Sequence, residues 1–313
     1  MIHSKVLVTG ATGFLGQHLT KKLEEMNAEI YISNTNKANL MNMENLYIYN
    51  NVKFDYIFHL AAVTKAGEYC LFHQGDQWLS NQAINTNMLN YWKKHQPQAK
   101  MICMGTSCSY SPGIRMSEEN YLCGAPEPSL YTYAMTKRML LVGLQSLQQQ
   151  YGLKWLYFIP STLYGPGFEL DDNHFIFDFV RNVYIAKNHG EKFIVWGDGN
   201  QRRELIYVGD AVDAMLNLLE EENEVFNLGS GIDHSINAFA EAVCSLYGYD
   251  PALAEHDLTK YVGVEEKKID TKKVIKYLGE KGYNKTSLQE GLRETVKYFK
   301  KHKEIKYDHE SKN

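Results

Sequence analysis

The segment Thr9-Gly10-Ala11-Thr12-Gly13-Phe14-Leu15-Gly16 follows directly on the apolar run Val6-Leu7-Val8 and opens an amphipathic stretch. Three glycines at this spacing, between a buried strand and a helix, leave few folds open to the chain. Gly10 permits a tight turn, Gly13 lets the backbone approach a pyrophosphate, and Gly16 lets the helix pack closely on the strand. The helix start then offers N–H groups and partial positive charge to phosphate oxygens. Glycine-rich turns also serve structure alone, but here strand, spacing, helix and position in the chain agree. The loop therefore predicts a dinucleotide cradle built from Gly10, Thr12, Gly13, Phe14, Leu15 and Gly16.

The rest of the first half repeats the same rhythm. Short apolar runs at 6–8, 30–32, 56–60, 101–104 and 155–159 alternate with helical periodicity at 14–27, 78–95 and 131–151. Such βαβ alternation predicts an α/β fold, a Rossmann-like, doubly wound parallel sheet with helices on both faces. Ligands in that fold bind outside the carboxyl ends of the strands. After Pro160 the texture changes: glycines and prolines interrupt helical pieces and isolated short strands at 193–196 and 225–228. The expected organisation is a dinucleotide-binding domain over 1–165 and a smaller substrate lobe over 166–300, interleaved with the sheet. A charged tail over 301–313, poor in apolar anchors, is expected to be flexible.

Composition removes several function classes. A net charge of -4 without basic blocks gives nucleic acid nothing to bind. Five cysteines, scattered and never in a C-x-x-C pair, fit a reducing compartment better than a disulfide framework or a zinc site. No H-x-x-x-H or H-E-x-x-H spacing suggests a metal. No apolar stretch approaches the roughly 20 residues of a membrane span. A soluble, cytoplasmic protein without metal, membrane or nucleic-acid partner is expected.

An NAD-binding chain usually carries an acid after its second strand, to hold the ribose 2′-hydroxyl. Here Ser33-Asn34-Thr35-Asn36-Lys37 offers no carboxylate and one lysine. Asn34 and Lys37 therefore favour NADP(H), with NAD(H) as the alternative. Tyr133-Ala-Met-Thr-Lys137 places a phenol and an ammonium one helical turn apart on one face. A phenol with a free pKa of about 10 becomes a usable proton donor only when a cation stabilises its phenolate. By itself the pair occurs by chance in many helices. A hydroxyl-rich segment, Thr106-Ser107-Cys108-Ser109-Tyr110, follows the fourth apolar run and can supply the hydrogen bond to a substrate carbonyl. Together these groups fit hydride transfer between a nicotinamide and a carbinol or carbonyl carbon.

With these motifs in this order, the chain resembles the extended short-chain dehydrogenase/reductases, and within them the GDP-L-fucose synthase family, from the glycine loop to about Gly291. The resemblance implies Thr106, four residues before a tyrosine, as catalytic beside Tyr133 and Lys137, with Ser107 touching substrate. It implies Ala61, Ala62, Tyr133, Lys137, Pro160, Leu163 and His174 along the cofactor. Related 4,6-dehydratases carry Asp-Glu where this chain has Ser107-Cys108, which argues against dehydration. The family instead pairs a cysteine with a histidine from an Asn-or-Ser-His segment, matched here by Cys108 and His174. Hydrogens at C3 and C5 of a 4-keto sugar are acidified by the carbonyl, and inversion needs a base on one face and an acid on the other. Arg181, Trp196 and Arg203 align with family positions that hold the nucleotide diphosphate and sugar. Thr162 and Glu265-Glu266 depart from the family pattern. The expected activity is epimerisation and NADPH-dependent reduction of a GDP-linked 4-keto-6-deoxyhexose, in a homodimer joined through the helices at 78–95 and 131–151. A single-function reductase or epimerase, an NAD-retaining 4-epimerase and a non-catalytic dinucleotide-binding module are the competing readings.

Overall fold

The computed structural model describes residues 3–64, 69, 72–260, 262–283 and 285–302. Strand β1 (Lys5–Thr9) leads through the glycine loop into α1 (Phe14–Glu25), then β2 (Glu29–Ser33) and β3 (Tyr56–His59). Helix α2 (Gln74–His95), β4 (Lys100–Met104), α3 (Tyr131–Tyr151) and β5 (Trp155–Pro160) complete the alternation. Then follow β6 (Thr162–Tyr164), α4 (Phe175–His189), β7 (Ile194–Trp196), β8 (Arg202–Tyr207) and α5 (Val208–Asn217). The remaining elements are β9 (Glu224–Leu228), β10 (Asp233–Ser235), α6 (Ile236–Tyr247), β11 (Glu255–Asp257), β12 (Glu266–Lys267), α7 (Lys272–Leu278) and α8 (Leu288–His302).

The main sheet is parallel throughout, in the order β2-β1-β3-β4-β5-β9. Strand order reverses beside β1, so a crevice opens at the carboxyl ends of β1 and β3. The apolar runs are continuous because both faces are covered. Leu7, Ile57, Met101 and Tyr157 meet Tyr91 and Trp92 of α2 and Leu140 and Leu144 of α3. On the other face Val6, Val8, Phe58 and Phe158 meet Leu19 and Leu23 of α1 and Val212 and Met215 of α5. A third core, with Phe168, Phe177, Val180, Leu205 and Phe239, belongs to the smaller lobe. That lobe carries a sheet ordered β10-β8-β12, with β6 also on β8, and the separate pair β11-β7.

Two expectations are revised. The run at 225–228 is no isolated strand of the lobe. As β9 it forms the sixth strand of the main sheet, paired with β5 from Leu156↔Glu224 to Pro160↔Leu228, because Phe226, Asn227 and Leu228 are all buried. Lys301 and His302 still belong to α8, and residues 303–313 lie outside the described residues.

The lobe is tied to the sheet by buried polar groups. The Asn227 side chain accepts from the Tyr110 hydroxyl (2.7 Å) and donates to the carbonyls of Met116 (2.9 Å) and Asp270 (3.0 Å). The Glu204 carboxylate accepts from the N–H groups of Gly231 (2.6 Å) and Ile269 (2.8 Å). Burial pushes Glu204 up to about 7, although these two bonds pull it down. A carboxyl raised in the folded state favours the fold fully below its unfolded pKa. That contribution fades as pH climbs through the folded value. Unfolding free energy should therefore fall between pH 4.5 and 7 by about 3 kcal/mol through this group. Denaturant titrations across this range should show the slope in the native chain and its loss in Glu204→Gln.

Candidate active site

The glycine loop closes by a bond from the Gly13 N–H to the Gly10 carbonyl (3.1 Å). Gly10 has φ +70°, and a Cβ there would lie 2.7 Å from the Ala61 nitrogen, so neither its conformation nor its space admits a side chain. A Cβ on Gly16 would collide with the Gly10 carbonyl, so the third glycine packs α1 onto the loop itself rather than onto the strand. No side chain caps the start of α1, which leaves N–H groups and the positive end of the helix facing the loop.

The loop after β3 forms the opposite rim. The Ala61 N–H donates to the Thr9 hydroxyl (3.2 Å), which donates to His59 Nδ1 (2.9 Å), and His59 Nε2 donates to Asn85 Oδ1 (3.1 Å). Burial pushes His59 down to about 4, with the Lys137 charge adding to the effect, so the ring stays neutral and keeps this pattern. The Val63 N–H is held by Asn81 Oδ1 (2.8 Å), which places Ala61 and Ala62 between two anchors. After β2, Asn34 Oδ1 accepts from the N–H groups of Asn36 (3.0 Å) and Lys37 (2.9 Å), building a neutral turn with an exposed Lys37 at its end. The cradle thus has the shape, the donors and the missing carboxylate that a nicotinamide dinucleotide with a 2′-phosphate requires.

Tyr133 and Lys137 lie in the first turns of α3, the Lys137 ammonium 5.9 Å from the centre of the Tyr133 ring. Lys137 is buried, and burial pushes it down to about 8, while the Cys103 thiol on β4 raises it. Its charge reaches both His59, the last residue of β3, and Cys103 on β4. Thr106 ends that strand's loop: its hydroxyl accepts from the Cys108 N–H (3.2 Å) and its own N–H donates to the Tyr121 hydroxyl (3.3 Å). The loop is bound to α3 by Ser109 on the Ala134 carbonyl (3.1 Å) and by the Arg138 guanidinium on the Ser109 carbonyl, and β5 holds the same helix through Tyr157 on the Lys137 carbonyl (2.7 Å). Thr106, Ser107 and Cys108 therefore hold a fixed place relative to Tyr133.

Cys108 opens on a cleft of about 970 Å³ lined also by Tyr110, Arg115, Glu266 and Lys267. The thiol's bonded neighbour is the Lys267 ammonium (3.6 Å). His174 stands at the amino end of α4, its Nδ1 2.6 Å from Asp172 Oδ1 and its N–H on the same oxygen (2.8 Å). Phe177, one turn on, packs edge-to-face on Phe14 (5.6 Å), which puts the start of α4 against the glycine loop. Burial lowers the pKa of His174, but the bond to Asp172 and the charges of Asp172 and Asp178 outweigh it, and the net shift is upward.

The residues expected to touch substrate are more dispersed. The Arg181 fork holds the carbonyls of Leu170 (3.0 Å) and Asp172 (3.2 Å) and the Asp178 carboxylate, bracing the turn that carries His174. Arg203 reaches the Arg202 and Val262 carbonyls (both 2.7 Å). Trp196 is 51% exposed with the Lys260 ammonium 5.4 Å from its ring centre. Pro160 ends β5 opposite Leu228, and Leu163 pairs with Ile206. The sequence reading missed His59, Asn85 and Lys267. A lone histidine in an otherwise apolar strand was the available signal for the first, whereas Lys267 had none beyond following Glu265-Glu266, which depart from the family pattern. Among the described residues no cluster of His, Cys, Asp and Glu could hold a metal, and no helix is long and apolar enough to cross a membrane.

The model of the NAD dependent epimerase/dehydratase family matches residues 6–229. The chain belongs to that family. It is 26% identical to the GDP-L-fucose synthase of Escherichia coli (strain K12), with 96% of this chain and 97% of that protein covered. It is 26% identical to the GDP-L-colitose synthase of Yersinia pseudotuberculosis, covering 94% and 97%. In fold it matches a GDP-L-fucose synthetase of Naegleria fowleri bound to NADP, with TM-score 0.86, 22% identity, and 97% and 96% of the two chains covered.

The Asp172 contact gives a direct check. Asp172→Asn removes the charge that raises His174, so the imidazole should titrate at lower pH than in the native chain. Histidine ring NMR through a pH series reads the two midpoints; equal midpoints would mean that Asp172 does not set the charge of this ring.

Proposed function

We propose that this family member is an NADPH-dependent epimerase and reductase of a GDP-linked 4-keto-6-deoxyhexose. The observation that carries the reading is the buried Lys137 ammonium over the Tyr133 ring, its charge reaching His59 at the carboxyl end of β3. Similarity to fucose and colitose synthases over nearly the whole chain supports the substrate class.

Gly10, Thr12, Gly13, Phe14, Leu15, Gly16, Ala61, Ala62, Asn34 and Lys37 hold the dinucleotide, with Pro160 and Leu163 along its nicotinamide half. When bound, the cofactor supplies hydride to C4. Thr106 and Tyr133 hydrogen-bond the C4 oxygen, and Tyr133 gives up its proton to it while the Lys137 cation stabilises the phenolate left behind. Before reduction, Cys108 and His174 exchange protons at C3 and C5. An imidazole whose pKa is raised by Asp172 holds its proton to higher pH than a free ring and can deliver it to carbon. Ser107, Trp196 and Arg203 contact the sugar and nucleotide, and Arg181 acts through the His174 turn. Leu79 on α2 and Met139 on α3, 61% and 46% exposed on packed helices, support a homodimer through that face. A cytoplasmic setting completes the proposal.

Two experiments test it. Asn34→Asp keeps the acceptor for both turn N–H groups yet adds an anion, so it should weaken NADPH relative to NADH by about 10-fold or more. Fluorescence titration of each cofactor measures the ratio, and an unchanged ratio would remove this loop from cofactor selection. Incubation with GDP-4-keto-6-deoxymannose and NADPH in D2O, followed by NMR, separates the two chemistries. Tyr133→Phe should slow C4 reduction by ~10²–10⁴-fold and retain most deuterium wash-in, whereas Cys108→Ser should lose the wash-in itself. No cofactor oxidation and no wash-in by the native chain would retire this substrate.

A further inference from the structure

The contact between the Lys267 ammonium and the Cys108 thiol joins groups 159 positions apart in the chain. Independent anchors fix each partner. Cys108 sits in the short turn capped by Thr106, and that turn is bound to α3 through Ser109. Lys267 sits on β12, held in register on β8 with Lys267 opposite Arg203. Past Lys267 the chain is clamped again, by the Ile269 N–H on Glu204 and the Asp270 N–H on the Met116 carbonyl (both 2.8 Å).

Strand alternation sends neighbouring lysines to opposite faces. Lys268 reaches Asp233 (3.3 Å), which also binds Arg202. Arg115 pairs with Asp270, and Lys273 with Glu224. Arg115 and Lys268 of this cleft thus find carboxylates, but among the described residues the hydrogen-bond partner of Lys267 is a sulfur.

We propose that Lys267 is a positioning residue for proton transfer by Cys108. This rests on the reading of Cys108 as the base of epimerisation. The ammonium donates to the sulfur and fixes its direction, so that the thiolate that acts as base is held in place in the cleft. The C–H bond at C3 or C5 then breaks, the proton bonds to sulfur, and the electron pair delocalises onto the C4 carbonyl oxygen. The His174 imidazolium returns a proton to the same carbon from the opposite face. Exchange with water afterwards takes the proton from the thiol and restores the one on the imidazole.

The test uses the full chain with NADP+, so that reduction is silent, and follows deuterium wash-in at C3 and C5 of GDP-4-keto-6-deoxymannose by NMR. Lys267→Met should lower kcat for exchange by ~10–100-fold with little change in KM, and Lys267→Arg should recover most of the loss. Adding Lys267→Met to Cys108→Ser should cost nothing more. NADPH-dependent reduction of the 4-keto sugar already inverted at both centres should proceed at the native rate in Lys267→Met, which also shows that the variant is folded. A raised KM for both substrates, or a loss additive with Cys108→Ser, would assign Lys267 to substrate binding and overturn the proposal. Exchange that dies in Cys108→Ser but survives Lys267→Met overturns it alone. Exchange that survives Cys108→Ser overturns the reading of Cys108 as well.

Discussion

A desolvated ammonium with no carboxylate beside it among the described residues is the constraint around which the site is arranged. Burial disfavours the Lys137 charge, which acts on the Cys103 thiol and the neutral His59 imidazole and lies 5.9 Å from the centre of the Tyr133 ring. In such surroundings the cation gains most from an anion that forms during the reaction. A carboxylate partner would have satisfied it permanently and left the phenol unassisted. The surrounding contacts keep that arrangement in place: Tyr157 on the Lys137 carbonyl, Arg138 across Ser109, and Ser109 on Ala134.

The sheet converts this local chemistry into a site. Parallel strands deliver their carboxyl ends to one edge, where the loops after β1, β3 and β4 converge. The chain Ala61–Thr9–His59–Asn85 binds the first two of these loops into one rim. The smaller lobe closes from the other side. Its His174 turn meets the glycine loop through Phe14 and Phe177, and β12 brings Lys267 to Cys108. Thr106, Cys108, Tyr133 and Lys137 thus rest on the edge of the main sheet, while His174 and Lys267 come from the lobe.

Legibility in the sequence followed the range of the interactions. The glycine loop and the Tyr133–Lys137 pair are local patterns with a fixed period, and both lie where spacing predicts. The five apolar runs of the first half became strands because a short apolar run needs no distant partner to be recognised, even at the half-buried edge strand β2. Strand β9 was misread because three buried residues cannot say which sheet they join. Arg181 looked like a phosphate ligand, but its fork closes the turn at Leu170 and Asp172. The pairing of Lys267 with Cys108 depends on the register of β12 against β8, which no short motif encodes. Local chemistry was readable; contacts set by strand register were not.

The central claim concerns one charge, and it can be read directly. Lysine side-chain NMR of the cofactor-free protein, with Lys137→Met identifying the signal, follows its titration. The account predicts a midpoint for Lys137 of about 8, against the ordinary 10.5. A midpoint at the ordinary value would mean that the ammonium is solvated or already paired, and Tyr133 would have no uncompensated cation to lean on.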